Sequence, residues 1–196
     1  IMACRNPEKA NHAIIKLKKA FPKAEIEFIQ LDLSKLSSVK SFVKEFKQKF
    51  NKLDILINNA GIMVPPFSKT EDGFESQMAV NYFAHFLLTG LLMNELEAAD
   101  KARVISLSSI AHKRGKIDFD NLNAEKNYNK SAVYSQSKLA CLIFAYELDR
   151  KLRNAKSSVI SLAAHPGVSA TNLFENMPSL TTKIIMPLSK PILNSP

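Results

Sequence analysis

Leu53-Asp54-Ile55-Leu56-Ile57-Asn58-Asn59-Ala60-Gly61 is the stretch on which the fold turns. It is a short, nearly continuous apolar run, the pattern of a strand covered on both faces, and it stops abruptly at two amides and a glycine. Two more runs behave in the same way. Arg103–Leu107 ends at Ser108-Ser109, and Ser158–Ala164 ends at His165-Pro166-Gly167. Upstream, Glu25–Leu33 is rich in β-branched and aromatic residues, and Ile1–Cys4 is an apolar opening.

Helical patterns lie between these runs. Asn6-Pro7 supplies a cap and a first-turn proline ahead of Ala10, Ile14, Leu17 and Phe21, and Pro22 closes the segment. Val39, Phe42, Val43, Phe46 and Phe50 form a stripe of period 3.6 backed by lysines. Helical spacing also covers about Glu75–Ala99 and Ser131–Leu152, with weak potential near Leu180–Leu188. Five strands alternating with four helical segments, and no run of hairpins, predict an α/β fold with a doubly wound parallel sheet. Ligands of such sheets bind beyond the carboxyl ends of the strands, so attention falls on Arg5, Asp32, Asn58–Gly61, Ser109 and Pro166-Gly167.

Composition narrows the function classes. The 196 residues are 46% hydrophobic and 23% charged, which excludes a disordered or fibrous chain. Tyr82–Met93 is interrupted by His85, Thr89 and Gly90 and falls short of the roughly 20 apolar residues of a membrane span. Two cysteines make no disulfide framework, a reducing intracellular compartment is expected, and nothing has metal-ligand spacing. A charge of +9 favours an anionic partner, either a phosphorylated cofactor or, as peripheral contact, an acidic membrane surface. Nucleic acid is not expected, because the lysines lie on solvated helix faces without interleaved aromatic platforms. Only 5 glycines are present, too few for a glycine-rich phosphate loop within the chain.

Tyr134 and Lys138 stand four residues apart, hence one turn apart on one helix face. A neighbouring cation stabilises a phenolate, so Lys138 is expected to lower the Tyr134 pKa and make it a proton donor or acceptor. Ser109, at a strand end, can donate to a developing oxyanion; alone it reads equally as a cap or turn residue.

Taken in order, Asn58-Asn59-Ala60-Gly61, Asn81, Ser109, Tyr134-x-x-x-Lys138 and Pro166-Gly167 resemble the classical short-chain dehydrogenase/reductase family across nearly the whole chain. Ala3-Cys4-Arg5-Asn6, Leu31-Asp32-Leu33-Ser34, Leu107–His112, His165–Val168 and the long interval of 25 residues from Ser109 to Tyr134 are similar to its retinol-dehydrogenase-like branch. The resemblance implies a Rossmann-like domain with Tyr134 as general acid/base. Lys138 would hold the nicotinamide ribose, Ser109 would bind and polarise the substrate oxygen, and Asn81 would hold a relay water. Asp32 and Leu33 would flank the adenine, Asn58, Ala60 and Gly61 would line the ribose side, and Pro166, Gly167, Val168 and Thr171 would contact the nicotinamide end. Asn59 reads as structural.

Arg5 ends the strand where an acidic residue would bind a ribose diol, and an arginine can instead form charge-assisted bonds to a 2′-phosphate. NADP(H) is therefore the expected cofactor. By the family pattern, the first strand and its Thr-Gly-x-x-x-Gly-x-Gly loop belong ahead of Ile1. The expectation is an incomplete fold, residues 1–168 forming part of a dinucleotide-binding domain and 169–196 part of its substrate lobe, with a gap between the Ile1–Cys4 and Leu53–Ile57 strands. Ala84 stands where the family often has glycine. Leu173, Phe174 and Met177 offer an apolar wall, and the branch implies a lipophilic alcohol or carbonyl substrate. The alternative class is a catalytically inactive remnant acting as a binding protein. Oligomeric state is open.

Overall fold

Helix α1 (Pro7–Ala20) begins as its local sequence requires: the Asn6 side chain accepts the amide of Lys9 at 2.8 Å, and Pro7 fills the first helical position, where no amide is needed. The computed structural model describes residues 1–165 and 167. Pro166, Val168, Thr171, Leu173, Phe174, Met177 and the 180–188 segment lie outside the described residues.

Strands β1 (Met2–Cys4) and β2 (Phe28–Gln30) pair in parallel, Ala3 opposite Ile29. Strands β3 (Ile55–Asn58), β4 (Arg103–Leu107) and β5 (Ile160–Ala164) form a second parallel sheet in that order. No pairing joins β1 to β3 among the described residues, which is where the sequence predicts a gap. The β2 strand is much shorter than Glu25–Leu33.

Helix α2 (Leu36–Lys49) buries the predicted Val39, Phe42, Val43 and Phe46 in one cluster with Ile29, Leu31 and Leu33. The Glu75–Ala99 pattern is not one helix. It resolves into α3 (Ser76–Met78), a π-helical turn (Ala79–Phe83), α4 (Ala84–Leu91) and α5 (Met93–Glu97), with the bend at Leu92 (φ −98°, ψ 8°). Ala84, 0% exposed, packs its methyl into the α2 cluster. The interval after Ser109 holds two 3₁₀ turns, Ile110–Arg114 and Phe119–Asn121. Helix α6 (Lys130–Asn154) follows, its Asn129 cap accepting the amides of Ser131 and Ala132.

One face of the three-stranded sheet is sealed. Leu56 and Val104 meet Leu96 and Leu152, and the Ser161 hydroxyl donates to the α6 carbonyl of Ala145 at 2.9 Å. The other face departs from the expectation of a strand buried on both sides. Ile55 and Ile57 are 55% and 57% exposed, and Ile160 and Leu162, in register with them across β4, are exposed too. An uninterrupted apolar run carries no period to say which face is covered, and the described helices cover only one.

Candidate functional site

The carboxyl end of β4 meets α6 at Lys138, in the third turn of the helix. Ser108 clamps the junction: its amide donates to Ala164 O and its hydroxyl to Lys138 O, each at 2.8 Å. Ser109 follows in extended conformation and its Oγ accepts the Ala111 amide at 3.3 Å, so the capping reading of this serine holds. The same side chain also faces Tyr134 and, as a hydrogen-bonding group, favours the phenolate.

Tyr134 is 6% exposed, packed against Met63 and Val64. Burial outweighs the Ser109 bond and raises the phenol above its ordinary value near 10. Lys138 does not act on it as the sequence suggests. Its Nζ lies 6.0 Å from the ring centroid and donates to Leu107 O at 3.0 Å, while burial pulls the ammonium below its usual range. The pair thus leaves Tyr134 protonated at neutral pH, a proton donor in its resting state.

Asn81, fully buried, sits within the π-helical turn. Its Oδ1 accepts the Ile62 amide at 2.8 Å, and its Nδ2 donates to Ile62 O at 3.0 Å and to Ser137 Oγ at 2.9 Å. The side chain therefore pins the loop after β3 to α6. Its backbone carbonyl accepts Cys141 Sγ–H at 3.1 Å and His85 Nδ1–H at 3.0 Å. Burial, and secondarily Lys138, holds the His85 pKa down at about 4, so the imidazole is neutral.

Gly61 stands beside this group. A Cβ there would lie 3.0 Å from Asn81 Oδ1 and 3.4 Å from Lys138 Nζ, so glycine lets the loop after β3 pack directly against the Asn81 amide and an ammonium. That ammonium, 6.0 Å from the Tyr134 ring, is a donor suited to the hydroxyls of a ribose. Asn58 looks elsewhere: it is 3% exposed and its Nδ2 donates to Thr89 Oγ1 at 3.0 Å, tying β3 to α4, with Oδ1 buried and unbonded. Ala60 is exposed at the rim.

Arg5 is exposed, and its carbonyl accepts Gln30 Nε2 at 3.1 Å. The Asp32 carboxylate takes the Ser34 amide at 3.0 Å and hydroxyl at 2.7 Å, a local turn. Leu33 packs into the α2 core. Gly167 has φ +74°, which suits glycine, and its amide donates to His165 Nδ1 at 3.3 Å. Sequence reading missed Gln77, His85, Ser137 and Cys141 as site supports. Polar residues at apolar helical positions were the available signal.

Residues 1–180 match the short chain dehydrogenase family. The chain belongs to that family. This short-chain dehydrogenase chain is 45% identical over 174 residues to retinol dehydrogenase 13 of Homo sapiens, an alignment covering 88% of the chain and 52% of the relative. It spans about half the length of the curated relatives it matches, which place it in the retinol-dehydrogenase-like branch. An uncharacterised protein from Mycobacterium paratuberculosis superposes with TM-score 0.76 at 43% identity, over 89% of this chain and 61% of that one. More distant structures share the fold alone. A Burkholderia phymatum member in complex with NAD has TM-score 0.67 and 19% identity over 90% and 60% of the two chains. A Sphingobium yanoikuyae member in complex with NADPH has TM-score 0.67 and 16% identity over 88% and 63%. Among the described residues of the short-chain dehydrogenase chain, no acidic, His or Cys cluster could hold a metal ion, and no helix is long and apolar enough to cross a membrane.

Proposed function

We propose that the protein carrying this chain is an NADP(H)-dependent oxidoreductase that interconverts a lipophilic carbonyl and its alcohol. The observation that carries the reading is the chain of neighbours that runs from Ser109 to Tyr134, from Tyr134 to Lys138, and from Lys138 and Asn81 to Gly61. In this reading residues 1–168 are the dinucleotide-binding part and residues 169–196 belong to the substrate lobe.

Bound NADP(H) supplies or accepts the hydride. The Ser109 hydroxyl donates to the substrate carbonyl oxygen and orients it. Tyr134, held protonated by burial, delivers its proton to that oxygen as negative charge develops there, and takes it back in the oxidative direction. Lys138, its ammonium anchored on Leu107 O, would hold the ribose hydroxyls of the bound cofactor. Asn81 fixes the Gly61-Ile62 loop, which would line the cofactor, and Arg5 would pair with the 2′-phosphate. The retinol dehydrogenases it resembles support a lipophilic substrate, and two free cysteines support a reducing, cytoplasmic or membrane-associated setting.

The test is reduction of a long-chain aldehyde with NADPH by the protein carrying this chain. Tyr134→Phe should lower kcat about 10²–10⁴-fold, the contribution of general acid catalysis, with NADPH affinity nearly unchanged. Normal turnover in that variant refutes the assignment.

A further inference from the structure

Val64 has φ +48°, a left-handed conformation that a β-branched residue adopts only under constraint. Such strain persists where the surroundings hold it, and it gathers at functional sites. Here the side chains of Met63 and Val64 press on Tyr134, all three buried. What holds the turn is Gln77. Its Oε1 accepts the Val64 amide at 2.9 Å. Its Nε2 donates to Lys130 O at 3.0 Å and to Tyr128 Oη at 3.1 Å, and the Tyr128 hydroxyl in turn donates to Pro65 O at 3.0 Å.

The geometry of these bonds is specific. Lys130 is the first residue of α6, and in an α-helix its carbonyl also receives the amide four residues on, that of Tyr134 itself. A single amide side chain, 0% exposed, therefore joins the strained turn above the Tyr134 ring to the carbonyl beneath its backbone. We propose that Gln77 is a positioning residue for the reaction, setting Tyr134 from both sides by holding Val64 in its left-handed turn and the first turn of α6 in register with it. The Tyr128 bond ties the long interval after Ser109 to the same point, so that the proton donor and the substrate-side loop move together.

This inference rests on the reading of Tyr134 as proton donor, and the experiment separates the two. In the protein carrying this chain, Gln77→Leu should lower kcat about 10–10²-fold, the effect of a misplaced reacting group, while the KM for NADPH stays within about twofold. Gln77→Glu keeps an acceptor for the Val64 amide and, when protonated, a donor for Lys130 O, so it should retain kcat within about threefold although a buried acid lowers Tm. Should Gln77→Leu fail to fold, Val64→Gly takes its place. Glycine accepts the left-handed turn without strain but removes the side chain facing Tyr134, so kcat should again fall with an unchanged NADPH KM. A kcat that follows Tm across the variants, or stays within about threefold of wild type in Gln77→Leu or its Val64→Gly replacement, overturns the inference. Full turnover in Tyr134→Phe, measured alongside, overturns the underlying reading instead.

Discussion

Lys138 and Tyr134 share one helix face but not a hydrogen bond: the ammonium lies 6.0 Å from the ring centroid and is anchored on Leu107 O at 3.0 Å. Each group is pushed toward its neutral form by burial, the phenol upward and the ammonium downward. The two shifts differ in consequence. A raised phenol keeps its proton at working pH, whereas a depressed ammonium is a charge held in place at some cost to the fold.

Lys138→Met should therefore separate activity from stability. The folded-state pKa lies below that of the unfolded chain, so between the two values the unfolded state binds more protons and wild-type stability rises with pH. Below both values the two states carry the charge and the penalty is full. Lys138→Met should match or exceed wild-type Tm there, and the advantage should shrink as pH climbs toward the ordinary lysine range. Turnover should be lost at every pH. Thermal melts from pH 7 to 10 check this; a Tm well below wild type at pH 7 would show that the Leu107 bond outweighs desolvation.

His85 predicts a loss of stability on the acid side. Its pKa falls from 6.5 to about 4 on folding, equivalent to roughly 3 kcal/mol between the charge states. The neutral imidazole donates from Nδ1 to Asn81 O. This stability is fully present above pH 6.5 and is lost as pH falls toward 4, because the unfolded chain takes up the proton first. Urea unfolding at pH 7 and 4.5 should show a fall that His85→Gln, which cannot titrate, largely removes.

Gly115→Ala should be among the costly single-methyl changes. A Cβ there would stand 2.5 Å from Ser135 O and 2.9 Å from Leu139 Cβ, on the buried side of α6. The first obstacle is backbone and cannot swing away. Overpacking of this kind destabilises by about 1–3 kcal/mol, and relief by displacing the Gly115 loop would also raise the substrate KM. Denaturation midpoints and steady-state kinetics measure the two parts.

Arg5→Asp tests the cofactor. Replacing attraction for a 2′-phosphate with repulsion should weaken NADPH by on the order of 1.5–3 kcal/mol, the worth of a charged hydrogen bond, with NADH affected less. An unchanged NADPH/NADH ratio would make Arg5 a surface cation only.

Much of the local architecture was written in short-range chemistry. Asn6-Pro7 starts α1, the Val39–Phe46 stripe selects the buried face of α2, and four-residue spacing puts Tyr134 and Lys138 on one face of α6. Backbone capping and helical period act over a few residues, so sequence alone determines them, and the ordered motifs were enough to identify the family. Other features were decided only by the tertiary structure. A single π turn at Ala79–Phe83 shifts the helical phase too little for apolar spacing to reveal it. The open side of β3 depends on which helices pack there, not on Ile55–Ile57 themselves. Gln77 reaches partners 13, 51 and 53 residues away. The direction of the Tyr134 pKa shift differs from the sequence expectation for the same reason: a nearby lysine in the sequence suggests a lowered pKa, but burial by Met63 and Val64, brought from a distant loop, removes the water on which an ionised phenolate depends.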